Sequence, residues 1–471
     1  MATAASGSLR RARAGIAPAT FVLIALAVGV VVGRNPLVGV GLALAIVFVL
    51  VVIWDLAFGV CAFLLLAFLD VVSRNADLSL TKAAGALLAA TWVTTMATRG
   101  ESRRSFVSAQ PALVVVLVIF LAWSGLSAIW SEDPAAAFRS TVRFALNAML
   151  VPIVFWAVRD RRHVLWIVAV FIVGAQLSVL WGMSHHQVTV GRPGQVGRLS
   201  GATVEANALA TLLIVCTVFA GGRVLAHRRA PLARALAAAA ALAAMAAFFA
   251  TFSRAGIVAL AAVILAGIVY GGRWRSGFVA LALVVAVVGF VYVNEATSGA
   301  AGRLSSENSS GRVDIWNVGL RMVKANPVGG VGSGNFTTAE PHYLLAPGSI
   351  GRPELILDTP LVAHNIYLHV LAEMGIVGLT LFLAVLALSI GSAIRAVSIF
   401  RLRRERSLEV LGRALVIALA GVLAADFFAS EQYSKQLWLL LAMGPALLAI
   451  ARRAPDRVEA AAASSGGRID P

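Results

Sequence analysis

The chain has 471 residues, 60% of them hydrophobic and 13% charged, with a formal net charge of +17 and a mean hydropathy of +0.88. Soluble chains carry charged residues at roughly 25%, so a soluble globular protein is excluded and a polytopic membrane protein is the class that fits. Two cysteines, Cys61 and Cys216, lie inside apolar runs and supply neither a disulfide framework nor a metal-binding spacing.

Arg10, Arg11 and Arg13 precede the first apolar run. No small-residue cleavage pattern follows it, so it reads as a retained span rather than a cleaved signal peptide. Apolar runs of about 17 to 25 residues can cross a bilayer as helices. They occur at 17–33, 36–53, 55–71, 81–98, 111–130, 144–158, 163–183, 204–222, 231–251, 255–271, 276–293, 366–394, 411–430 and 436–451, fourteen predicted spans. Only Trp54 and Asp55 separate the second from the third. If those two form one tilted element or a re-entrant pair, the number falls to twelve or thirteen. The expected organisation is a cytoplasmic tail over 1–16, an N-terminal transmembrane bundle over 17–293, an extracytoplasmic loop over 294–363, C-terminal transmembrane helices over 364–452 and a second cytoplasmic tail over 453–471.

Charge gives an independent reading of topology. With both termini inside, the cytoplasmic segments hold 25 of the 39 Lys and Arg and 8 of the 22 acids, a net of +17, while the other face balances 14 basic against 14 acidic residues. This is the asymmetry that the positive-inside rule requires. The basic residues are short topogenic clusters, not a groove with interleaved aromatics, which removes a nucleic-acid partner as the meaning of a pI near 11.3.

Three places on the outer face have room for chemistry: 184–203, the tight turn at 251–255 and the long loop after Val293. Structureless loops of the last one's length are uncommon unless functional or disordered, and this one has internal order. In RVDIWNVGLRMVKAN, Val313, Trp316, Leu320 and Val323 fall at helical spacing and predict an amphipathic helix that lies on the membrane surface or on the bundle. Ser310 and Gly311 suit its start, Asp314 its first turn, and Asn326 before Pro327 its end.

Arg254 stands between two apolar segments on the face that should lack positive charge, where an arginine is costly unless it snorkels, pairs with an acid or meets an anion. Arg312 opens the amphipathic helix, where backbone N–H groups and the dipole favour an anion and a guanidinium adds a two-pronged phosphate contact. The alternative for it is a solvent-exposed loop arginine, and Arg198, Arg303 and Arg321 carry the same ambiguity. His364 opens the span after the loop, beside Asn365. Histidine titrates near neutrality and at this boundary is a candidate base for an incoming hydroxyl, or else an anchor for the helix. Glu373, nine residues on, is a carboxylate about two and a half turns deep that needs a partner, either a ligand or a structural arginine or backbone donor.

Other signals lead elsewhere. VGGVGSGNF, from Val328 to Phe336, lacks the Gly-Lys-Ser/Thr ending of a nucleotide loop and reads as a turn that permits close backbone approach. His185 and His186 have no Cys or carboxylate companions at ligand spacing, so no metal site is expected. No Asp-x-Asp arrangement offers a metal-bound sugar nucleotide, and Glu132 and Asp133 read as ordinary interfacial charges.

Four stretches together resemble the O-antigen ligase and O-antigen polymerase superfamily of bacterial membrane glycosyltransferases: GRLSGATVEANALA from Gly197, FSRAGIVAL from Phe252, GRVDIWNVGLRMVKANPVGGVGSGNF from Gly311 and HNIYLHVLAEMGIVG from His364. The resemblance covers roughly 190–395, in the family's order and with its long loop. It implies an all-α, GT-C-like fold of about 12–14 transmembrane helices in the bacterial inner membrane. It also implies transfer of a glycan from a polyprenyl (undecaprenyl) diphosphate carrier to an acceptor on the outer face, without cofactor or metal. The implied partners are the carrier-linked donor, a lipid-core or glycan acceptor, and membrane lipid. By likeness Arg254 and Arg312 bind the diphosphate and His364 is the base or its close partner, with Arg198, Asn207, Arg321, Asn365 and Glu373 as candidate substrate contacts. Ligase and polymerase both fit these motifs. A transporter or flippase for the lipid-linked glycan is the rival from another class, and a structural subunit without activity would leave Arg254, Arg312 and His364 unexplained.

Overall fold

The computed structural model describes residues 46–50, 52–69, 80–98, 106–185, 188–189, 198–203, 205–226, 230–295, 312–344 and 362–453, with Gly29, Gly33 and Gly39. The predicted spans at 17–33 and 36–53 lie for the most part outside them. So do both tails, Arg303, His186, and the loop residues 296–311 and 345–361.

Fifteen helices matter here: α1 Leu56–Phe68, α2 Leu80–Thr98, α3 Pro111–Leu126, α4 Pro134–Ala148, α5 Leu150–Ala157, α6 Arg161–Ser184, α7 Ala206–Ala226, α8 Pro231–Ala250, α9 Arg254–Tyr270, α10 Arg275–Glu295, α11 Arg312–Ala325, α12 Phe336–Leu344, α13 Ile366–Leu402, α14 Arg406–Ala425 and α15 Lys435–Arg453. A two-residue antiparallel ladder, β1 Val188–Thr189 with β2 Arg198–Leu199, pairs Val188 with Leu199 and Thr189 with Arg198. The protein is an all-α polytopic membrane protein. Among the described residues, eight helices are long and apolar enough to cross a membrane. The fourteen predicted spans compare with these helix by helix. Eight are found as such, α1 is only 13 residues long, and α2 is absent from the crossing set. α9 and α10 form a pair bent by 119°.

Polar residues set the helix starts. Asp55, Asp160 and Ser253 each accept a backbone N–H from the first turn of α1, α6 and α9, satisfying donors that have no intrahelical partner. Asp133 does the same for α4, accepting from Ala135 and Ala136. This corrects two readings. The span expected at 144–158 begins at Pro134, and Asp133 is no ordinary interfacial charge: besides capping α4, its backbone N–H donates to Asn335 Oδ1 at 2.8 Å.

The core lies among the C-terminal helices. α15 is apolar around its whole circumference and buried from Gln436 to Ala451, as expected of a helix surrounded by others. It packs on α13 and α5, and α14 joins α13 to α7 and α9. α8, by contrast, buries only Ala237, Ala244 and Phe248, leaving an alanine-rich face outward. α11 has the predicted bounds, but its buried face is Ile315, Val318, Gly319 and Met322, while Val313 and Leu320 are exposed. Two stripes at helical spacing exist in that sequence. The one that wins is the one that lets Gly319 sit against Leu368 and Phe336.

Candidate functional site

α7, α9 and α13 all begin at one end of the bundle, and the loop helix α11 lies there too. Arg198 joins the first two motifs: its Nε donates to the Thr251 carbonyl at 2.9 Å and its terminal nitrogen to Asn207 Oδ1 at 2.8 Å. Ser253 Oγ donates to the same Asn207 oxygen at 2.8 Å and accepts from the Gly256 N–H. The turn before Arg254 is therefore clamped to the start of α7, with Phe252 at φ 45°. Such backbone is uncommon outside glycine, and here the hydrogen-bond network holds it.

The cations gather. Burial, then the neighbouring charges of Arg312 and Arg254, depress the Arg198 pKa. Burial and Arg254 depress that of Arg312, with Glu205 acting in the opposite sense. Arg198 and Arg312 remain charged, since an arginine starts far above neutral pH. His364 is half-buried, and burial, Arg312 and His369 lower its pKa from the ordinary value. These causes favour the neutral ring, the form that can accept a proton. Its φ of 47° is one of the strained conformations that cluster at functional sites. Arg198, Arg254, Arg312 and His364 therefore share one electrostatic neighbourhood, although 166 positions separate the first from the last.

Behind His364 lies a buried polar layer. His369 Nε2 lies 3.1 Å from Glu373 Oε1, its Nδ1 lies 3.2 Å from Ser430 Oγ, and its ring stacks on Phe336. Glu373 Oε1 also accepts the Phe336 N–H at 3.2 Å. The needed partner of Glu373 is thus a histidine and a backbone donor. Asn365 caps α13, its Oδ1 accepting from the Tyr367 and Leu368 N–H groups at 3.0 Å each. Arg321 donates to the Tyr343 carbonyl at 2.9 Å and ties α11 to α12.

The glycine-rich stretch explains how this end is held. α13 breaks at Gly375, whose φ of 64° and ψ of −170° are non-helical. The interrupted backbone finds partners in the loop: Val331 and Gly332 N–H donate to the Ala372 and Glu373 carbonyls, Ile376 N–H donates to Pro327, and Trp123 Nε1 donates to Met374. A Cβ on Gly375 would lie 2.0 Å from the Val328 oxygen, and one on Gly330 would lie 2.3 Å from the Glu373 carbonyl carbon. The stretch is the expected turn of close backbone approach, and the segment it grips carries His369 and Glu373. On its far side Ser333 bonds Ser124 and Ser140, and Ser140 bonds Tyr433. Trp316 donates to the Ala363 carbonyl at 2.9 Å, fixing α11 against the residue before His364.

Several residues here escaped sequence reading. His369 is one; it stands one turn from the candidate Glu373, an i, i+4 pair that sequence alone could have offered. Glu205, Ser253 and Glu431 carry no such mark. Glu431, between α14 and α15, has its pKa pushed up to about 7 by burial and by Glu205. His185, whose companions were in question, stacks on Trp181 with ring centroids 3.8 Å apart.

These features define a multi-pass membrane protein with a cationic site at one end of its bundle. Residues 237–383, just under a third of the chain, match the family model of O-antigen ligase. The likeness to that superfamily is thereby shown over a segment that includes three of the four motifs, and GRLSGATVEANALA lies outside it. No curated protein matches the chain. The family match supports a ligase- or polymerase-like role in O-antigen biosynthesis.

Proposed function

We propose that the protein is an O-antigen ligase-like glycosyltransferase that moves a glycan from a polyprenyl diphosphate carrier to an acceptor hydroxyl at the outer face of the inner membrane. The observation that carries this reading is the mutual proximity of Arg198, Arg254 and Arg312, with Arg312 also acting on His364; Arg254, Arg312 and His364 lie inside the segment that matches the family. The working unit is the 294–363 loop with the ends of α7, α9 and α13.

The chemistry follows from the charges. His364 takes the proton of the acceptor hydroxyl as its oxygen bonds to the anomeric carbon. The bond from that carbon to the phosphate oxygen breaks on the opposite face, inverting the centre, and polyprenyl diphosphate leaves with the electron pair. Arg254 and Arg312 are fixed where negative charge grows on the departing diphosphate, and preorganised cations of this kind lower the barrier most. Arg198 and Asn207 position Arg254 through the turn at Thr251–Ser253. His369, held by Glu373 and Ser430, supports His364 from behind.

The break in α13 favours a second reading, because discontinuous helices are a mark of transporters. Its backbone is stitched to the loop on both sides, which suits a fixed site better than a moving gate. Reconstitution separates the readings. Purified protein in proteoliposomes receives carrier-linked glycan, candidate acceptors and a chelator, with Arg312→Ala and His364→Ala beside the wild type. The enzyme releases polyprenyl diphosphate with a product that both variants fail to make, and the product distinguishes ligase from polymerase. Glycan crossing the bilayer without transfer would establish the flippase.

A further inference from the structure

At the end of the bundle opposite His364, a second cationic feature surrounds a cavity of about 550 Å³ lined by Val269, Tyr270, Gly272, Arg273, Val397, Ser398, Arg401, Glu409 and Arg413. α9 runs from Arg254 to Tyr270 in 17 residues, so a helix length of about 25 Å separates the two sites. Arg413 is 9% exposed. It is fixed from three sides: Nε on Glu409 Oε1 at 3.0 Å, a terminal nitrogen on the Tyr270 carbonyl at 2.6 Å, and the guanidinium 5.2 Å from the Tyr270 ring. The turn between α9 and α10 is moulded on it. Gly272 has φ 61°, and a Cβ there would come 3.2 Å from the Arg413 guanidinium carbon.

Arg273 and Arg401 are exposed at the rim. With Arg413 they set three positive charges against the single carboxylate of Glu409, which Arg413 already holds. The cavity is net positive, and its walls are partly apolar. Val269 lines it and is 77% exposed; Ile257 and Leu265, on the same helix, are 56% and 64% exposed, and Leu402, next to Arg401, is 83% exposed. An occupant that satisfies both parts bears a phosphate and an apolar chain. We infer that this cavity binds the headgroup of an anionic phospholipid from the leaflet around that end of the bundle, its phosphate on Arg273 and Arg401 and an acyl chain along the Leu265–Val269 face. Basic pockets between transmembrane helices are suited to such headgroups. The site is independent of the glycosyl-transfer reading.

The test uses the full chain in detergent, with dioleoyl phosphatidylglycerol, dioleoyl phosphatidylcholine and inorganic phosphate as probes. The readouts are thermal unfolding and native mass spectrometry of retained lipid. Arg273→Gln/Arg401→Gln is compared with Arg395→Gln/Arg404→Gln, which removes equal charge from the same end but not from the cavity. Phosphatidylglycerol should stabilise and stay bound to wild type and control. The cavity variant should need about tenfold more or greater, from two lost cation–phosphate contacts. Equal response to phosphatidylcholine, equal loss in the control variant, or full reproduction by inorganic phosphate would each overturn the lipid assignment.

Discussion

The two ends of the bundle treat arginine in opposite ways. At one end Arg413 meets a carboxylate and a carbonyl within hydrogen-bond distance, while Arg273 and Arg401 beside it stay exposed. At the other, Arg198, Arg254 and Arg312 lie in one another's field, and Glu205 acts against it at Arg312. Like charges at close range cost energy in the ligand-free protein. Asn207, Thr251 and Ser253 tie Arg198 to the turn before Arg254, and in the proposed function this cluster meets an anion. Burial alone does not separate the two ends, since both hold partly buried arginines; the carboxylate on Arg413, against the amide and carbonyl oxygens on Arg198, does.

That contrast is broken most directly by removing its cations. Arg312→Ala and Arg254→Ala should each lower transfer by roughly 10²- to 10³-fold, the loss typical when a preorganised stabiliser of developing charge is deleted, with thermal unfolding close to wild type. A lowered unfolding temperature with transfer by the folded protein unchanged would make these arginines structural, like Arg413. His364→Ala should cost about 10²-fold, the usual contribution of a general base. In the wild type, burial and Arg312 hold the imidazole below the ordinary value, so the active neutral form persists above that depressed pKa and activity falls as pH drops through it. Arg312→Lys keeps a positive charge but loses the fork, so its acid limb should stay near that of the wild type while its rate falls.

At the opposite end, Glu409→Gln keeps the shape but removes the charge that answers Arg413. A buried pair broken on one side costs about 3 kcal/mol. Since the Tyr270 carbonyl remains as a partner and the pair sits near the membrane boundary, a loss nearer to about 2 kcal/mol is expected in thermal or denaturant unfolding. No loss at all would mean that Arg413 is satisfied without Glu409, and the contrast between the ends would weaken.

Hydropathy and charge made the all-α polytopic class legible, because a membrane's width and the positive-inside bias are written in single residues. The start and end of α11 were legible from Asp314 and from Asn326 before Pro327. Its orientation was not, because Val313–Trp316–Leu320–Val323 and Ile315–Val318–Met322 are both helical stripes, and the choice rests on Gly319 meeting Leu368 and Phe336. Arg254, Arg312 and His364 stood out as cations or a base at helix starts beside apolar runs. Asn365 looked like a substrate contact and is seen capping α13, since an asparagine before a helix serves either purpose. The grip of Pro327–Gly332 on the broken helix depends on contacts more than 40 residues apart. Positive φ at Gly375 cannot be read from a glycine inside an apolar run, and Glu205 and Glu431 meet only after folding.

Glu431 offers the finest way to sharpen the comparison, because it tests the acidic side of the cationic end. Burial and Glu205 push its pKa from 4.5 to about 7. The folded state therefore binds a proton that the unfolded state releases near 4.5, and stability must fall with rising pH between those values. This contribution is complete below about 4.5 and is lost as pH passes through 7. Glu431→Gln, which mimics the protonated side chain, should flatten the unfolding temperature across that window and leave the wild-type value unchanged at its acid edge. Glu205→Gln should act in the same direction but more weakly, since burial is the larger cause and would remain. If both variants keep the full wild-type slope, Glu205 and Glu431 do not share one field, and the balance of charge around Arg312 must be set by other groups.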